Sequence, residues 1–85
     1  MYNKVKKCLE SMGYEFFECK RVELSTGFTL SNGFRLDKPY KEVYIEMDDN
    51  GDINIWDYKN GSLVYIIINA ALYVMTFELA CVLNN

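Results

Sequence analysis

Six carboxylates lie between positions 42 and 57 of this 85-residue chain, and no lysine or arginine separates them. Clustered acids can bind a metal ion, act as paired catalytic carboxylates, or enter a basic groove on another protein. Aromatic residues of the kind that often anchor protein contacts are interspersed with them, namely Tyr44, Trp56 and Tyr58. This segment is therefore the first place in the chain to look for function.

Most enzyme chemistries are disfavoured by the composition. The chain has no histidine, so the commonest general base is missing, as are Ser-His and Cys-His nucleophile pairs. Its three cysteines, Cys8, Cys19 and Cys81, lack the spacing of zinc ligands. The glycines are isolated turn glycines and form no phosphate-binding loop. We expect a protein that is not an enzyme and that uses no metal or cofactor.

The twelve residues 46–57 resemble the calcium-binding loop of EF-hand proteins. Acidic or amide side chains fall at loop positions one, three, five and seven, and Gly51 takes position six. The segment departs from the family pattern because it begins with Glu and ends with Asp. Its flanks alternate as strands do, whereas an EF-hand requires helices. A hairpin tip explains the same Asp, Asn and Gly residues without an ion.

Charge and composition restrict the class of partner. The net charge of −3 disfavours direct binding of nucleic acid, which usually needs a basic surface. The 51% hydrophobic content and the length predict one folded domain, residues 1–85. An odd number of cysteines and a polar N-terminus indicate a reduced, cytoplasmic protein without a secretory signal.

The N-terminal part of the chain predicts one helix followed by a strand. An apolar stripe at helical spacing covers residues 2–12, and Gly13 lies where a left-handed cap would end the helix. Residues 14–24 alternate as a strand does, but the pattern is interrupted near Glu18. A bulge or a change of buried face explains that interruption equally well.

Three Asn-Gly pairs, beginning at Asn32, Asn50 and Asn60, predict three β-hairpins, and Pro39 is expected between strands. Each register is chosen so that apolar residues face each other across the two strands. Three-residue loops suit the first two turns and a two-residue loop the third. The resulting pairs are Leu30 with Phe34, Phe28 with Leu36, Met47 with Ile53, Ile45 with Ile55, Tyr44 with Trp56, Trp56 with Tyr65, Ile55 with Ile66, and Ile53 with Ile68.

The segment 63–83 is the most apolar part of the chain, and Glu78 is its one charge. Its β-branched start, 63–68, predicts a strand buried on both faces, and Asn69 can cap a helix over 70–83. A single helix over residues 62–83 is the alternative. A membrane span is disfavoured by the polar residues within the segment and by the absence of basic flanks.

The predicted architecture is α+β: an N-terminal helix, an antiparallel meander of five to six strands, and an apolar C-terminal helix packed on the sheet. The face that carries Tyr44, Trp56, Tyr58 and Tyr65 has two possible environments. It is exposed if both helices cover the opposite face, and it is core if one helix covers each face.

The favoured hypothesis for function is a small protein-binding module. Its acidic hairpin suits a phage or mobile-element inhibitor, of the anti-CRISPR kind, that occupies the phosphate groove of a host nucleic-acid-handling defence enzyme. Abundant Asn, Lys, Ile and Tyr, typical of AT-rich coding sequence, favour such an origin. The predicted partner-binding residues are Glu42, Tyr44, Glu46, Asp48, Asp49, Asp52, Trp56, Asp57 and Tyr58.

Two other kinds of binding compete with this hypothesis, beside the possibility that the acids merely keep a hairpin tip solvated. The aromatic face could hold a sugar or nucleoside. Alternatively, a structural homodimer could assemble through the apolar C-terminal helix. The predicted contact residues of that dimer are Leu72, Tyr73, Met75, Phe77 and Leu79.

Overall fold

Two helices and seven strands make up the described part of the chain, residues 2–37, 42–68 and 75–83 of a computed structural model. This confirms an α+β protein with an N-terminal helix and an antiparallel sheet. In chain order the elements are α1 (Tyr2–Ser11), β1 (Phe17–Cys19), β2 (Val22–Glu23), β3 (Thr29–Leu30), β4 (Gly33–Leu36), β5 (Val43–Met47), β6 (Ile53–Asp57), β7 (Ser62–Ile67) and α2 (Met75–Leu83).

The main sheet has five strands in the order β1-β4-β5-β6-β7, and β2 and β3 form a separate two-stranded sheet. The strand predicted over 14–24 is therefore divided between the two sheets. Its interruption lies at Lys20 and Arg21, between β1 and β2, where the chain leaves the main sheet. The chain returns to the main sheet at Gly33. In that sheet β4, β5 and β6 each have a neighbour on both sides, whereas β1 and β7 are the edges.

Helix α1 ends as its sequence predicts. The backbone N–H of Tyr14 donates to the carbonyl of Leu9 (3.0 Å), and the N–H of Gly13 donates to that of Glu10 (3.1 Å). Together with the positive φ of Gly13 (80°), these two bonds form the usual left-handed helix cap. Val5 and Leu9 are the buried residues of the apolar stripe.

The hairpin at Asn50 has the predicted register. Met47 pairs with Ile53, Ile45 with Ile55, and Tyr44 with Trp56. Asp48 and Asp52 close the turn through a backbone hydrogen bond of 3.1 Å, which leaves the three predicted residues in the loop. This register was predictable from neighbouring residues, because the loop length and the apolar pattern favour the same pairing.

The other two predicted registers are wrong. No hairpin forms at Asn32: β3 pairs with β2, and β4 pairs with β1 and β5. Ser31 and Asn32 instead connect the two sheets. At Asn60 the hairpin exists, but a β-bulge shifts β7. The observed pairs are Asp57 with Ser62, Trp56 with Leu63, Ile55 with Tyr65, and Ile53 with Ile67.

Residues 62–67 form a strand, so the single helix over 62–83 is wrong. The prediction that this strand is buried on both faces is also wrong, because only Ile67 of β7 is buried. The C-terminal helix is shorter in the described residues than the predicted range 70–83, and its Leu79 lies in the core. Pro39, Asn69, Leu72 and Tyr73 lie outside the described residues.

Two layers of apolar side chains cover the central strands. On one face, α1 and α2 contribute Val5, Leu9 and Leu79 to a core that includes Ile45 and Ile55. On the other face, the β2–β3 hairpin supplies its own apolar residues. That second core consists of Leu24, Leu30, Tyr44 and Trp56. Within the residues that the structure describes, no helix is long and apolar enough to cross a bilayer.

A substitution at Gly33 tests how tightly the chain packs where it enters the main sheet. A Cβ atom at this position would overlap the carbonyl oxygen of Ile45 and lie 2.9 Å from the ring of Tyr44. We predict that Gly33→Ala lowers the free energy of unfolding by about 3 kcal/mol, because the backbone must move apart. Urea unfolding followed by circular dichroism measures this loss.

Gly27→Ala is the matched control. Gly27 has a positive φ of 95° but open space around it. Its substitution should cost only the left-handed backbone strain, about 1 kcal/mol. Equal losses in the two variants would show that Gly33 is not tightly packed.

Candidate functional site

The acidic run is not one surface. Asp57 pairs with Val43 at one end of the β5–β6 hairpin, and Asp48 and Asp52 close the turn at the other end. Five strand residues separate these ends, which corresponds to about 17 Å. Glu46 lies between them and is buried. The six acids are consecutive charges in the sequence, but they do not form one continuous acidic surface in the structure.

Glu46 is a buried carboxylate with a full set of donors. Its side chain is only 7% exposed. The Ser31 backbone N–H donates to Oε2 at 2.8 Å, while Asn54 Nδ2 and Trp56 Nε1 each donate to Oε1 at 3.1 Å. Because a buried charge without partners is costly, these three bonds explain why an acid is tolerated there.

The same network fastens the connection between the two sheets. The Tyr44 hydroxyl donates to the Ser31 carbonyl at 2.6 Å, so both backbone groups of Ser31 bond to side chains of β5. This contact holds the segment after β3 against the main sheet. Glu46 and Tyr44 thus have structural roles, whereas the sequence placed them at a partner contact.

Asp48 and Asp57 are turn-capping acids. Asp48 Oδ1 accepts the backbone N–H groups of Asn50 (2.9 Å) and Asp52 (3.0 Å). Asp57 Oδ1 accepts the N–H of Asn60 at 3.1 Å, and Asn60 Nδ2 donates to Asp57 Oδ2 at 2.7 Å. Such bonds are the usual reason for Asp at turns. In the predicted set, Glu42 and Asp49 are the exposed acids.

The predicted aromatic anchors are mostly core residues. Tyr44 is fully buried and Trp56 nearly so, because Leu24 and Leu30 of the β2–β3 hairpin cover them. Tyr58 is half-buried, with the Arg35 guanidinium 4.3 Å from its ring centre. Tyr44 and Trp56 are therefore not accessible to a partner protein, a sugar or a nucleoside. Tyr44 and Trp56 are core, and a hairpin rather than a helix covers them. The prediction is wrong for Tyr65, which pairs with Ile55 and is exposed.

The dimer hypothesis loses one of its contacts. Leu79 is fully buried against the helical face of the sheet, so it is not available to a second chain. Of the other predicted contacts, Leu72 and Tyr73 lie outside the described residues. Met75 and Phe77 belong to α2, and their side chains are not described.

An exposed apolar surface replaces the predicted one. Five neighbouring side chains of and beside β7, and Phe28 of the β2–β3 turn, are between 43% and 60% exposed. The Phe28 ring lies 5.3 Å from that of Trp56, whose cross-strand neighbour is Leu63. We call this surface the apolar edge. Its members are Phe28, Leu63, Val64, Tyr65, Ile66 and Ile68.

The apolar edge is held in place by the β6–β7 turn. Thr26 donates its hydroxyl to the Gly61 carbonyl at 2.7 Å, which ties the tip of the β2–β3 hairpin to that turn. The sequence signal was present, since residues 62–68 carry no charge. A charge-free β-branched run is typical of an interior strand, which is why the sequence predicts burial on both faces.

The described surface does not enclose a deep binding site. The depression between β1 and β4 has a volume of about 490 Å³, is open to solvent, and mixes Phe16 and Phe17 with Glu15 and Arg35. Among the described residues, no three His, Cys, Asp or Glu side chains are grouped so that they could hold a metal ion. The flanks of the calcium-loop-like segment are β-strands, so its resemblance to EF-hands ends at the loop.

No protein-family model, curated protein or solved structure matches this chain. Its function is therefore inferred from the surfaces described above.

We predict that Glu46→Gln destabilises the fold by about 1–3 kcal/mol. An amide has one acceptor oxygen and one NH2 group. In one orientation the NH2 group faces the N–H of Ser31, and in the other it faces the donors of Trp56 and Asn54. Either way, at least one donor loses its acceptor. Urea unfolding monitored by Trp56 fluorescence measures the change. Asp49→Asn is the matched control at an exposed acid, and we expect a change within about 0.5 kcal/mol. Equal stability of both variants would contradict the structural role of Glu46.

Tyr44 gives a prediction for alkaline pH. Its burial raises the pKa of the phenol well above the ordinary range. The unfolded chain therefore releases this proton above about pH 10 while the folded chain retains it, so stability falls as pH rises. Tyr44→Phe removes this proton, although it also removes the bond to Ser31. We expect wild type to lose more stability than Tyr44→Phe between about pH 9 and pH 11 in urea unfolding. Parallel losses would contradict the assignment.

Proposed function

We propose that this chain is a protein-binding module without catalytic activity, and that the apolar edge is its contact surface. The observation that carries the proposal is the exposure of five apolar side chains along and beside one edge strand, β7. Soluble domains rarely leave such a surface uncovered, and contiguous apolar patches commonly mark binding sites. The exposed tyrosine and phenylalanine add the aromatic area typical of interfaces.

The strand geometry supports binding of another strand. β7 is the outer strand of the main sheet, so one side of its backbone has no partner strand among the described residues. Natural edge strands usually carry lysine, proline or an inward charge that prevents pairing. Residues 62–68 carry none of these. An added strand would gain main-chain hydrogen bonds from the edge and specificity from alternate side chains.

The flatness of the surface favours a protein over a small ligand. Small-molecule sites are concave and bury most of their ligand, whereas the apolar edge is a strand with side chains on both faces. Cys19 and Cys81 are free thiols, which is compatible with a reducing cytoplasm. The proposed setting is therefore cytoplasmic, and the proposed partner is a protein.

The acidic hairpin supports a second, narrower proposal. Asp49 is exposed at the tip, beside the turn-capping Asp48 and the half-buried Asp52. These three acids could still meet a basic groove on a nucleic-acid-handling enzyme, as an inhibitor from a phage or mobile element would. Neutralising Glu46 or Asp48 would damage the fold and confuse a binding test. Asp49→Asn avoids this problem because Asp49 is exposed. It should weaken binding to a basic groove, as added salt should by screening the charges.

Photocrosslinking tests the main proposal. We predict that the chain with benzoylphenylalanine at Val64 forms discrete protein adducts in a bacterial lysate. The same group at Phe17, a residue of the opposite edge strand that is 62% exposed, should give none. Denaturing gels and mass spectrometry identify the adducts. Equal or absent crosslinking at both positions would contradict the apolar edge as a contact surface.

A further inference from the structure

We infer that the apolar edge takes a second copy of this chain, paired antiparallel along β7 so that two five-stranded sheets form one continuous sheet. This inference rests on the proposed function, because it names the partner of the same surface. It places the dimer contact on β7 rather than on the C-terminal helix, where the sequence had suggested one.

The edge is complementary to itself. A two-fold axis perpendicular to the sheet keeps each face on its own side, so residues opposite each other must share a face. An axis through Ile66 satisfies this rule, because it sets the exposed Ile66 against its own copy. It also places the exposed Tyr65 opposite Ile67, whose side chain stays buried in its own copy. Val64 then meets Ile68 of the other copy. Residues 64–68 carry no charge, so a hydrophobic segment of one copy is matched by the same segment of the other.

The charges favour the antiparallel direction. Ile67 pairs with Ile53, so the end of β7 lies beside the acidic tip that contains Asp48, Asp49 and Asp52. Antiparallel pairing places the two acidic tips at opposite ends of the joint sheet. It also sets each tip towards the other copy's β6–β7 turn, which carries Lys59. A parallel arrangement would place the two tips side by side, where like charges repel.

The available area suits a reversible dimer. The five paired residues extend about 17 Å, and their exposed side chains offer roughly 400 Å² per copy. This is below the typical value of about 800 Å² per partner for stable complexes. Dissociation should therefore be visible at accessible concentrations, and main-chain hydrogen bonds contribute a large share of the specificity.

Charge complementation at Ile66 tests both the partner and the register. Sedimentation velocity of the purified full chain should show a monomer–dimer equilibrium that shifts with protein concentration. Ile66→Lys and Ile66→Glu should each weaken dimerisation by roughly 10- to 100-fold, because like charges then meet at the two-fold axis. Mixing the two variants in equal amounts should restore a dimer of one copy each. Circular dichroism verifies that both variants remain folded.

Phe17→Lys on β1 is the matched control, since it places the same charge on the opposite edge at a similarly exposed apolar residue. It should dimerise as wild type does. A dimer lost equally in this variant, or a mixture that stays monomeric, would overturn pairing through Ile66. A wild-type chain that stays monomeric at all concentrations would overturn the second copy as partner. If Val64 still crosslinks to a different protein, the proposed function survives; if neither occurs, both fail.

Discussion

The carboxylate of Glu46 is the contact on which the layered structure depends. It bonds Ser31 from the connection between the sheets, and Asn54 and Trp56 from the neighbouring strand. The β2–β3 hairpin is thereby held over the second face of the main sheet, while the helices cover the first. Glu46 stabilises the fold and is not available to a partner, because exposing or removing its carboxylate leaves buried donors unsatisfied. An acid in the middle of a strand is therefore a structural element in this chain.

This arrangement protects the centre of the sheet and leaves its border open. β5 and β6 are covered on both faces, so Tyr44 and Trp56 are enclosed. β7 pairs with β6 on one side and keeps most of its side chains partly in solvent. Because surface acids contribute mainly to encounter rates and buried apolar contacts to affinity, the edge is the stronger basis for a lasting contact. The acidic tip is better suited to orienting a partner than to holding it.

Local patterns predicted what is decided locally. The end of α1 at Gly13, the register at Asn50 and the strand at 62–67 all follow from neighbouring residues. The prediction of a hairpin at Asn32 is wrong because β4 pairs with β1 and β5 and not with the preceding β3, which the turn dipeptide cannot reveal. The sequence predicts a partner contact in the acids and aromatic residues of 42–57, whereas the environment of Glu46, Tyr44 and Trp56 depends on Ser31, Leu24 and Leu30. No spacing rule connects those residues, so the sequence left open whether Tyr44 and Trp56 are exposed or core.

Amide hydrogen exchange of residues 63–68 at low and high protein concentration distinguishes a paired β7 edge from an open one. In a lone sheet, the outward-facing amides of β7 are free to exchange, whereas a paired edge protects them. If β7 pairs with a second copy, protection of these amides rises with protein concentration, while that of β1 at the opposite edge does not. Rapid exchange of β7 at every concentration, with or without other proteins present, would contradict a binding role for this edge.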